Sequence, residues 1–241
     1  MQTLIAAIRS VAAYVAVSLY VAITAPVGIL LAMLFRWKAI LYVLGHGGVT
    51  LGAALAGIRT RVEGREHLPA GQAVVFCSNH QSNIDPPLLF NALHPRLHIL
   101  FKAELKKLPL LGKTFLVGGF VPIDRASRER SMTAIDSAAS SLREGNSFLT
   151  FPEGTRSRTG ALLPFKRGPF LMALKAQVPI VPVAVQGGTA SMRKGSLIIR
   201  PTTVTVRIGK PVETRGMSLD DRERLADLVR ARVERLLAGA D

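Results

Sequence analysis

Two long runs without a charged side chain dominate the first quarter of the sequence. No acidic or basic residue occurs from Val11 to Phe35, and none from Ala39 to Ile58 if His46 is counted as neutral. Each run is long enough for a helix that crosses a bilayer, which takes about 20 residues. Residues 36–38 leave room only for a tight turn between the runs. The pattern predicts a membrane-associated helix pair within residues 1–61.

Two other interpretations of these runs are weaker. A signal peptide has a shorter apolar region and a small-residue cleavage site that leads into a polar mature domain, and neither is seen here. A pair of buried core helices is the second alternative, but such helices rarely lack polar residues over this length.

The flanking charges bear on how the helices lie in the membrane. A spanning pair would put four arginines, Arg9, Arg59, Arg61 and Arg65, on one side and Arg36 and Lys38 on the other. The larger group favours the cytoplasmic side, so we expect an inner (cytoplasmic) membrane protein with the rest of the chain in the cytoplasm. The alternative is a helix pair within one leaflet, with Trp37 as an interfacial anchor. The sequence leaves both arrangements open.

From Val62 onward, short apolar runs alternate with amphipathic stretches. Ser127 to Arg143 has the spacing of a helix, and a last helix is expected to begin near Ser218. That last helix should bury Leu225, Leu228, Val229, Val233 and Leu236. The predicted strands are Ala73 to Cys77, His98 to Phe101, Phe120 to Ile123, Ser147 to Phe151, Ile180 to Val185 and Thr203 to Ile208. Residues 62–241 are therefore expected to form an α/β domain, with a mixed sheet flanked by helices.

Charge and cysteine content limit the partners and the compartment. The formal net charge is +15, which favours an anionic partner such as nucleic acid, a phosphorylated small molecule or anionic lipid. Cys77 is the only cysteine, so the chain has no internal disulfide and no zinc site built from several cysteines. A chain with a single cysteine and no disulfide is typical of a protein whose main domain lies in a reducing compartment.

The first candidate site is the polar stretch Asn79 to Asp85, directly after a predicted strand. His80 and Asp85 can meet only if the loop between them curls back, because five residues on a helix separate them by about 140°. Asp85 followed by Pro86 is typical of a helix start. A carboxylate beside one imidazole nitrogen would leave the other free to act as a base. The alternative is that Asp85 only caps the helix.

The second candidate site is Phe151 to Ser157, which also follows a predicted strand. Glycine at 154 permits a sharp turn, and the Arg156 guanidinium suits a phosphate or a carboxylate. Lys102 and Arg125 end two further predicted strands. Together with His80 these cations would form one rim of the sheet, with a base beside several groups that bind anions.

The two stretches NHQSNID and FPEGTRS resemble the signature blocks of the glycerolipid acyltransferases, and in particular those of the bacterial 1-acyl-glycerol-3-phosphate acyltransferase family. The resemblance covers roughly residues 64–212. Gly119 to Arg125 resembles another block of the family, but Pro122 replaces its phenylalanine. Val178 to Val183 resembles its proline-containing block, which is equally consistent with an edge strand interrupted by proline.

The resemblance implies transfer of a fatty acyl group from acyl-CoA or acyl carrier protein to the free hydroxyl of lysophosphatidic acid, giving phosphatidic acid. It implies that His80 is the general base and that Asp85 orients it. The acceptor phosphate would be bound by Arg156, with help from Lys102 and Arg125. Glu153, Gly154 and Thr155 would shape this pocket. Two alternative roles for Glu153 are to bind the glycerol hydroxyl and to pair with an arginine. No cofactor and no metal are expected.

Other functions remain as alternatives. Related acyltransferases use glycerol-3-phosphate, other lysophospholipids or lyso-ornithine lipids as acceptors, and a membrane-tethered lipid-binding protein would lack catalysis altogether. A nucleic-acid binder is disfavoured because only 6% of the residues are aromatic and no recognition motif is present. A metallohydrolase using His80, Asp85, His94 and His98 would need a ligand spacing that these residues do not have.

Overall fold

Short runs, most of them apolar, form the strands of one sheet. The computed structural model describes residues 1–93, 96–124 and 126–239, and within them the sheet has seven strands. In chain order these are β1 Ile58–Glu63, β2 Val75–Ser78, β3 Leu97–Lys102, β4 Val121–Ile123, β5 Ser147–Thr150, β6 Ile180–Gln186 and β7 Thr202–Ile208. All six predicted strands are confirmed, with small shifts at their ends. Strand β1 was not predicted, because its alternating arginines give it little apolar character.

The strand order places several strand ends at one edge of the sheet. The order is β1-β7-β6-β2-β5-β3-β4. Strands β6, β2, β5, β3 and β4 run parallel to one another, whereas β7 is antiparallel to β6. The sheet is therefore mixed, as predicted, and the carboxyl ends of its parallel strands lie along the same edge.

The α-helices include the two predicted from the uncharged runs, which are α1 and α2. The bounds of the α-helices are α1 Gln2–Leu34, α2 Ala39–Ala56, α3 Asp85–Leu93, α4 Leu111–Val117, α5 Arg128–Arg143, α6 Gly168–Ala176, α7 Gly188–Ser191 and α8 Arg222–Ala238. Ser127 caps α5 by accepting a hydrogen bond from the Arg130 N–H, and Ser218 and Asp221 form a capping box just before α8. Leu228 was predicted to be buried but is 39% exposed, because it lies beside the face of α8 that packs on the sheet.

Two apolar cores cover the two faces of the sheet, since successive side chains of a strand point to opposite faces. Val74 and Phe76 belong to a core that includes Ala13, Tyr42 and Ala56 from the helix pair and Leu89 from α3. Val75 and Cys77 belong to the opposite core, with side chains from α5, α6 and α8. The helix pair is thus part of the layer that covers one face of the sheet.

Helix α1 is attached to the rest of the chain in both of its halves. The Ser10 hydroxyl accepts a hydrogen bond from the Ile199 N–H at 2.8 Å, and the Tyr14 hydroxyl donates to the Leu197 carbonyl at 2.9 Å. Toward the other end, Ile29 and Ala32 pack with Val117 of α4. Both helices of the pair are long and apolar enough to cross a membrane, by length and composition.

Pro182 lies in a central strand, so the edge-strand interpretation of this block is wrong. Strand β6 is flanked by β7 and β2. The ladder between β6 and β7 begins at Val183, while Ile180 forms a separate bridge with Val212. The missing N–H of Pro182 therefore falls at an interruption of the ladder, where proline costs no hydrogen bond.

Candidate active site

Polar side chains follow β2 and β5, which are neighbours in the sheet. His80 comes two residues after the end of β2, and Glu153 to Arg156 come shortly after the end of β5. Lys102 is the last residue of β3, the next strand along. These residues lie at one edge of the sheet, as the sequence predicted. Arg125, the fourth predicted member of this rim, lies outside the described residues.

His80 and Asp85 form a direct pair. The His80 Nδ1 lies 3.0 Å from the Asp85 Oδ2, and the side chains are 14% and 0% exposed. The imidazole ring also stacks on Phe151, with 4.2 Å between the ring centroids. The loop therefore curls back as the chemistry requires, and the ring is held on both its edge and its face. This leaves the Nε2 as the nitrogen not engaged by Asp85.

The Asp85 carboxylate is held by its own loop. Its Oδ2 accepts hydrogen bonds from the backbone N–H groups of Gln81 at 2.7 Å and Ser82 at 2.6 Å, in addition to the His80 ring. These donors precede α3 in the chain. Asp85 begins α3, but its hydrogen bonds point back into the loop, which is not the geometry of a simple helix cap.

Gly188 packs against the other carboxylate oxygen. The Asp85 Oδ1 is buried and has no hydrogen-bond partner within the described residues. A Cβ at position 188 would lie 2.5 Å from this oxygen, closer than van der Waals contact allows. Only glycine fits here, so the start of α7 is the wall against which Asp85 rests. Gly188 was not predicted from the sequence, although the pair of glycines directly after β6 was a possible signal.

Two side chains tie the loop to β6 and to the end of α7. The Asn79 side-chain amide donates to the Val185 carbonyl at 2.9 Å and accepts from the Val185 N–H at 2.7 Å. The Ser82 hydroxyl donates to the Met192 carbonyl at 2.8 Å. Asn79 and Ser82 belong to the predicted polar stretch, but their partners are more than 100 residues away in sequence and were not predictable from spacing.

Glu153 joins the two signature stretches. Its Oε1 accepts the His80 N–H at 2.6 Å, and its Oε2 accepts the Leu163 N–H at 3.0 Å. The residue is only 4% exposed. Burial raises the pKa of the Glu153 carboxyl above its ordinary value, and the two amide hydrogen bonds oppose this shift. Both carboxylate oxygens are occupied by backbone donors, which fits the pocket-shaping role among the alternatives considered for this residue.

Lys194 reaches the turn that carries Arg156. Its ammonium donates to the Thr155 hydroxyl at 3.2 Å and to the Arg156 carbonyl at 2.9 Å. Within the described residues, the buried Nη1 of Arg156 has no hydrogen-bond partner. Gly154 has φ +70°, so the turn uses the left-handed conformation that glycine favours. Lys194 was missed by the sequence analysis because it lies almost 40 residues beyond the turn.

Lys102 lies on the exposed part of the rim. Its ammonium forms an ion pair with Glu104 at 3.1 Å, and both side chains are well exposed. The carboxyl of Glu104 accepts hydrogen bonds from its own backbone N–H and from Lys102. Both bonds lower the pKa of this carboxyl, and the backbone bond has the larger effect. The lysine is thus at the predicted edge, available to solvent.

An apolar groove of about 460 Å³ opens beside the loop. Ile84 and Pro86, on either side of Asp85, line its end nearest the His80 pair. Its walls are formed by α1, α2, α3 and α4, and by Phe120. An apolar groove beside the His80–Asp85 pair suits an alkyl chain better than a polar ligand.

His98 does not lie at the candidate site. Its ring packs edge-on against Phe148, with 5.1 Å between ring centroids, and lies near Tyr42 and Phe120. Burial, with the positive charge of Lys38 as a smaller cause, lowers the pKa of His98 to about 4. His98 is therefore an aromatic core residue. His94, the other histidine of the metallohydrolase alternative, lies outside the described residues.

The sequence is similar to those of known acyltransferases. Residues 59–186 match the family model described as Acyltransferase. A 1-acyl-sn-glycerol-3-phosphate acyltransferase of Limnanthes douglasii is 32% identical over 200 residues, which are 80% of this chain and 70% of the relative. The mouse 1-acyl-sn-glycerol-3-phosphate acyltransferase alpha is 36% identical over 178 residues, 73% of this chain and 62% of the relative.

A solved structure resembles the whole chain. The crystal structure of the 1-acyl-sn-glycerophosphate acyltransferase PlsC from Thermotoga maritima has a TM-score of 0.84 and 26% sequence identity, and the match covers 99% of this chain and 98% of that one. The resemblance of the two signature stretches is thus confirmed at the level of both sequence and fold. The chain belongs to the acyltransferase family, and within it to the 1-acyl-sn-glycerol-3-phosphate acyltransferase type.

Proposed function

We propose that this protein transfers a fatty acyl group from a thioester, acyl-CoA or acyl carrier protein, to the sn-2 hydroxyl of lysophosphatidic acid, forming phosphatidic acid. The observation that carries the proposal is the buried His80–Asp85 pair, with 3.0 Å between Nδ1 and Oδ2, at the end of an apolar groove. The names of the similar proteins agree with this substrate.

His80 is the general base. Its Nε2 takes the proton of the acceptor hydroxyl while that oxygen attacks the thioester carbonyl, and Asp85 orients the ring and stabilises the imidazolium. The sulfur then leaves as a thiolate. A thiol is acidic enough to be a good leaving group, so transfer needs no acyl-enzyme intermediate. Cys77 is buried in the core on the other side of the sheet, and burial raises the pKa of its thiol, so it is not a nucleophile.

Arg156 binds the acceptor phosphate. A guanidinium can form two parallel hydrogen bonds with a phosphate, which fixes both its position and its orientation. Lys194 supports the Arg156 backbone and adds a second positive charge beside it. Lys102, and Arg125 by the family resemblance, complete the basic rim, whereas Glu153, Gly154 and Thr155 shape the turn.

The groove holds the fatty acyl chain. Its walls come mainly from the helix pair, α3 and α4, and its polar lining atoms are few. Burying each methylene of the chain there contributes about 0.8 kcal/mol. A chain in this groove would reach the His80 pair through the end lined by Ile84 and Pro86.

We place the helix pair in one leaflet of the inner membrane, with the acyltransferase domain, residues 62–241, on the cytoplasmic side. In a spanning hairpin the turn at residues 36–38 would lie on the far side of the bilayer. Near that turn, however, Ala32 packs with Val117 of α4, and α4 adjoins the sheet. In the first half of α1, Tyr14 bonds to Leu197. Attachment in both halves of α1 supports a helix that lies along the domain.

The test is acyl transfer by the purified full-length chain in mixed micelles. Labelled acyl-CoA or acyl carrier protein is supplied with a panel of lysophosphatidic acid, glycerol-3-phosphate, other lysophospholipids and lyso-ornithine lipid, beside the variant His80→Ala. Phosphatidic acid formed by the wild type and not by the variant is the expected result. Product from a different acceptor would change the substrate and leave the mechanism standing. Near-normal rates in His80→Ala would overturn the assignment of the base.

A further inference from the structure

Exposed leucines outside the helix pair are concentrated in one segment. Beyond residue 57, the described part of the chain has seven large apolar side chains that are at least 38% exposed. Four of them lie in the segment 105–116, which we call the leucine-lysine segment. They are Leu105 at 38%, Leu108 at 43%, Leu110 at 38% and Leu116 at 46%. The fifth is Leu197, which is 76% exposed.

The leucine-lysine segment and the loop that carries Leu197 each contact α1. The leucine-lysine segment includes most of α4, and α4 contacts α1. Leu197 accepts a hydrogen bond from Tyr14 of α1 through its carbonyl. The remaining two exposed leucines, Leu219 and Leu228, lie before and in α8, which packs on the opposite face of the sheet. The exposed leucines therefore divide into a group beside α1 and a pair far from it.

The outer face of α1 is itself apolar. Its exposed side chains include Val11, Val15, Leu19, Ile23, Val27, Leu30 and Leu34. Trp37, in the turn after α1, is 54% exposed. The five leucines extend this apolar surface onto the α/β domain, on the α4 side and at the loop that carries Leu197.

Positive charges alternate with the leucines. Lys106, Lys107 and Lys113 are exposed within the segment. Glu104, just before it, already pairs with Lys102. Exposed leucines beside lysines are typical of a protein surface that lies at the boundary between the headgroups and the acyl chains of an anionic bilayer. An acidic protein would be attracted by the lysines, but it gives no reason for four leucines to remain exposed.

We infer that the leucine-lysine segment, together with Leu197, is a second membrane contact, which inserts its leucines into an anionic bilayer beside the helix pair. The inference rests on the membrane association proposed above and adds a part of the α/β domain to it. On the inner side of the same segment, Leu111 and Phe115 line the groove. The segment would thus separate the acyl groove from the lipid.

The test uses single tryptophans as depth probes. Trp37 is the only tryptophan of the chain, so Trp37→Phe gives a background without one. Into it are placed Leu110→Trp or Leu116→Trp, and as matched controls Leu219→Trp or Leu228→Trp, at sites of similar exposure. Each full-length variant is added to vesicles of phosphatidylcholine and phosphatidylglycerol with bromine on the acyl chains.

Strong quenching of the probes at 110 and 116, with little at 219 and 228, is the expected result. Equal quenching at all four positions, or none at 110 and 116, would overturn the inference. Fluorescence at 110 that responds to an acidic acyl carrier protein and not to vesicles would also overturn it, in favour of a protein partner.

Trp37 of the wild type separates this inference from the one it rests on. If Trp37 is quenched and the probes at 110 and 116 are not, only the second contact is wrong. If Trp37 is not quenched either, membrane association fails and the second contact fails with it, whereas acyl transfer in micelles still reports on the catalytic assignment.

A charge variant provides a second measurement. Replacing Lys106, Lys107 and Lys113 by glutamine should weaken partition onto vesicles with 30% anionic lipid by about tenfold or more. The control replaces Lys210, Arg215 and Arg224 by glutamine. These three residues are exposed, and the control variant loses the same charge from other parts of the domain. An equal loss in both triple variants would show that only net charge matters and would contradict a local contact. Acyl transfer in neutral micelles should be unchanged in both.

Discussion

The oxygen Oδ2 of Asp85 accepts three hydrogen bonds, while Oδ1 rests against a glycine. The three donors are the His80 ring and the backbone N–H groups of Gln81 and Ser82. This asymmetry fixes the carboxylate in one rotamer, and the carboxylate in turn fixes the imidazole. The geometry of the proposed catalytic pair therefore depends on a contact with Gly188, which lies more than 100 residues away in sequence.

Gly188→Ala tests this dependence. The added methyl group must displace the Asp85 carboxylate, since the two atoms would be 2.5 Å apart. A shift of this kind at a catalytic pair lowers turnover by about 100-fold. We expect kcat to fall and its pH profile to change, with little effect on the KM for the acceptor. Ala190→Ser, at an exposed position in the same short helix, is the control. A variant with a normal pH profile and normal kcat would show that Asp85 tolerates the methyl group.

Arg156→Ala should chiefly raise the KM for the acceptor. A charge-assisted hydrogen bond is worth about 1.5–3 kcal/mol, so an increase of about 10-fold to 100-fold is expected. Lys194→Ala should raise the same constant by a smaller factor, because Lys194 supports the Arg156 backbone. Arg158→Ala, at an exposed position nearby, is the matched control. Steady-state kinetics with varied acceptor distinguish these outcomes, and a loss of kcat alone would argue against phosphate binding.

At the scale of elements, local pattern was sufficient for most of the fold. Six strands and the starts of α5 and α8 follow from apolar runs and capping residues that are adjacent in sequence. Strand β1 was missed because an edge strand can carry exposed arginines, and Pro182 was misplaced because a local interruption of the ladder admits proline into a central strand. The candidate site, too, could be predicted only where its residues are close together in the sequence. His80 and Asp85 share one loop, whereas Gly188 and Lys194 reach the site only through the order of the strands.

The helix pair provides a prediction about the length of the fatty acyl chain that the protein transfers. Gly52 of α2 lines the groove, and a Cβ there would lie 3.0 Å from Val17 of α1. Gly52→Leu should occupy part of the groove and reduce transfer with long acyl chains more than with short ones. Ala54→Leu, on the exposed side of the same helix, is the control. The measurement is the ratio of rates for long-chain and short-chain substrates, and an unchanged ratio would mean that the acyl chain lies elsewhere.

For the whole molecule, His98 lies where several layers meet. Its ring contacts Phe148 of β5 and lies near Tyr42 of α2, and its Nδ1 is 3.4 Å from the Ser141 hydroxyl of α5. The positive charge of Lys38 also opposes protonation of the His98 ring. A charge on this ring would therefore be buried where α2, α5 and the sheet come together, and would destabilise their packing.

Stability should consequently rise with pH between about 4 and 6.5. Burial lowers the pKa of His98 to about 4 in the folded chain, against an ordinary histidine value of 6.5 in the unfolded chain, so between these pH values the unfolded state binds the additional proton. The stabilisation is complete above pH 6.5 and is lost as the pH falls toward 4, and it amounts to roughly 3 kcal/mol. His98→Phe should flatten this dependence in thermal unfolding measured in detergent, while His67→Phe, at a partly buried histidine that bonds to Ile208, should retain it. Parallel pH curves for the wild type and His98→Phe would mean that another group governs acid unfolding.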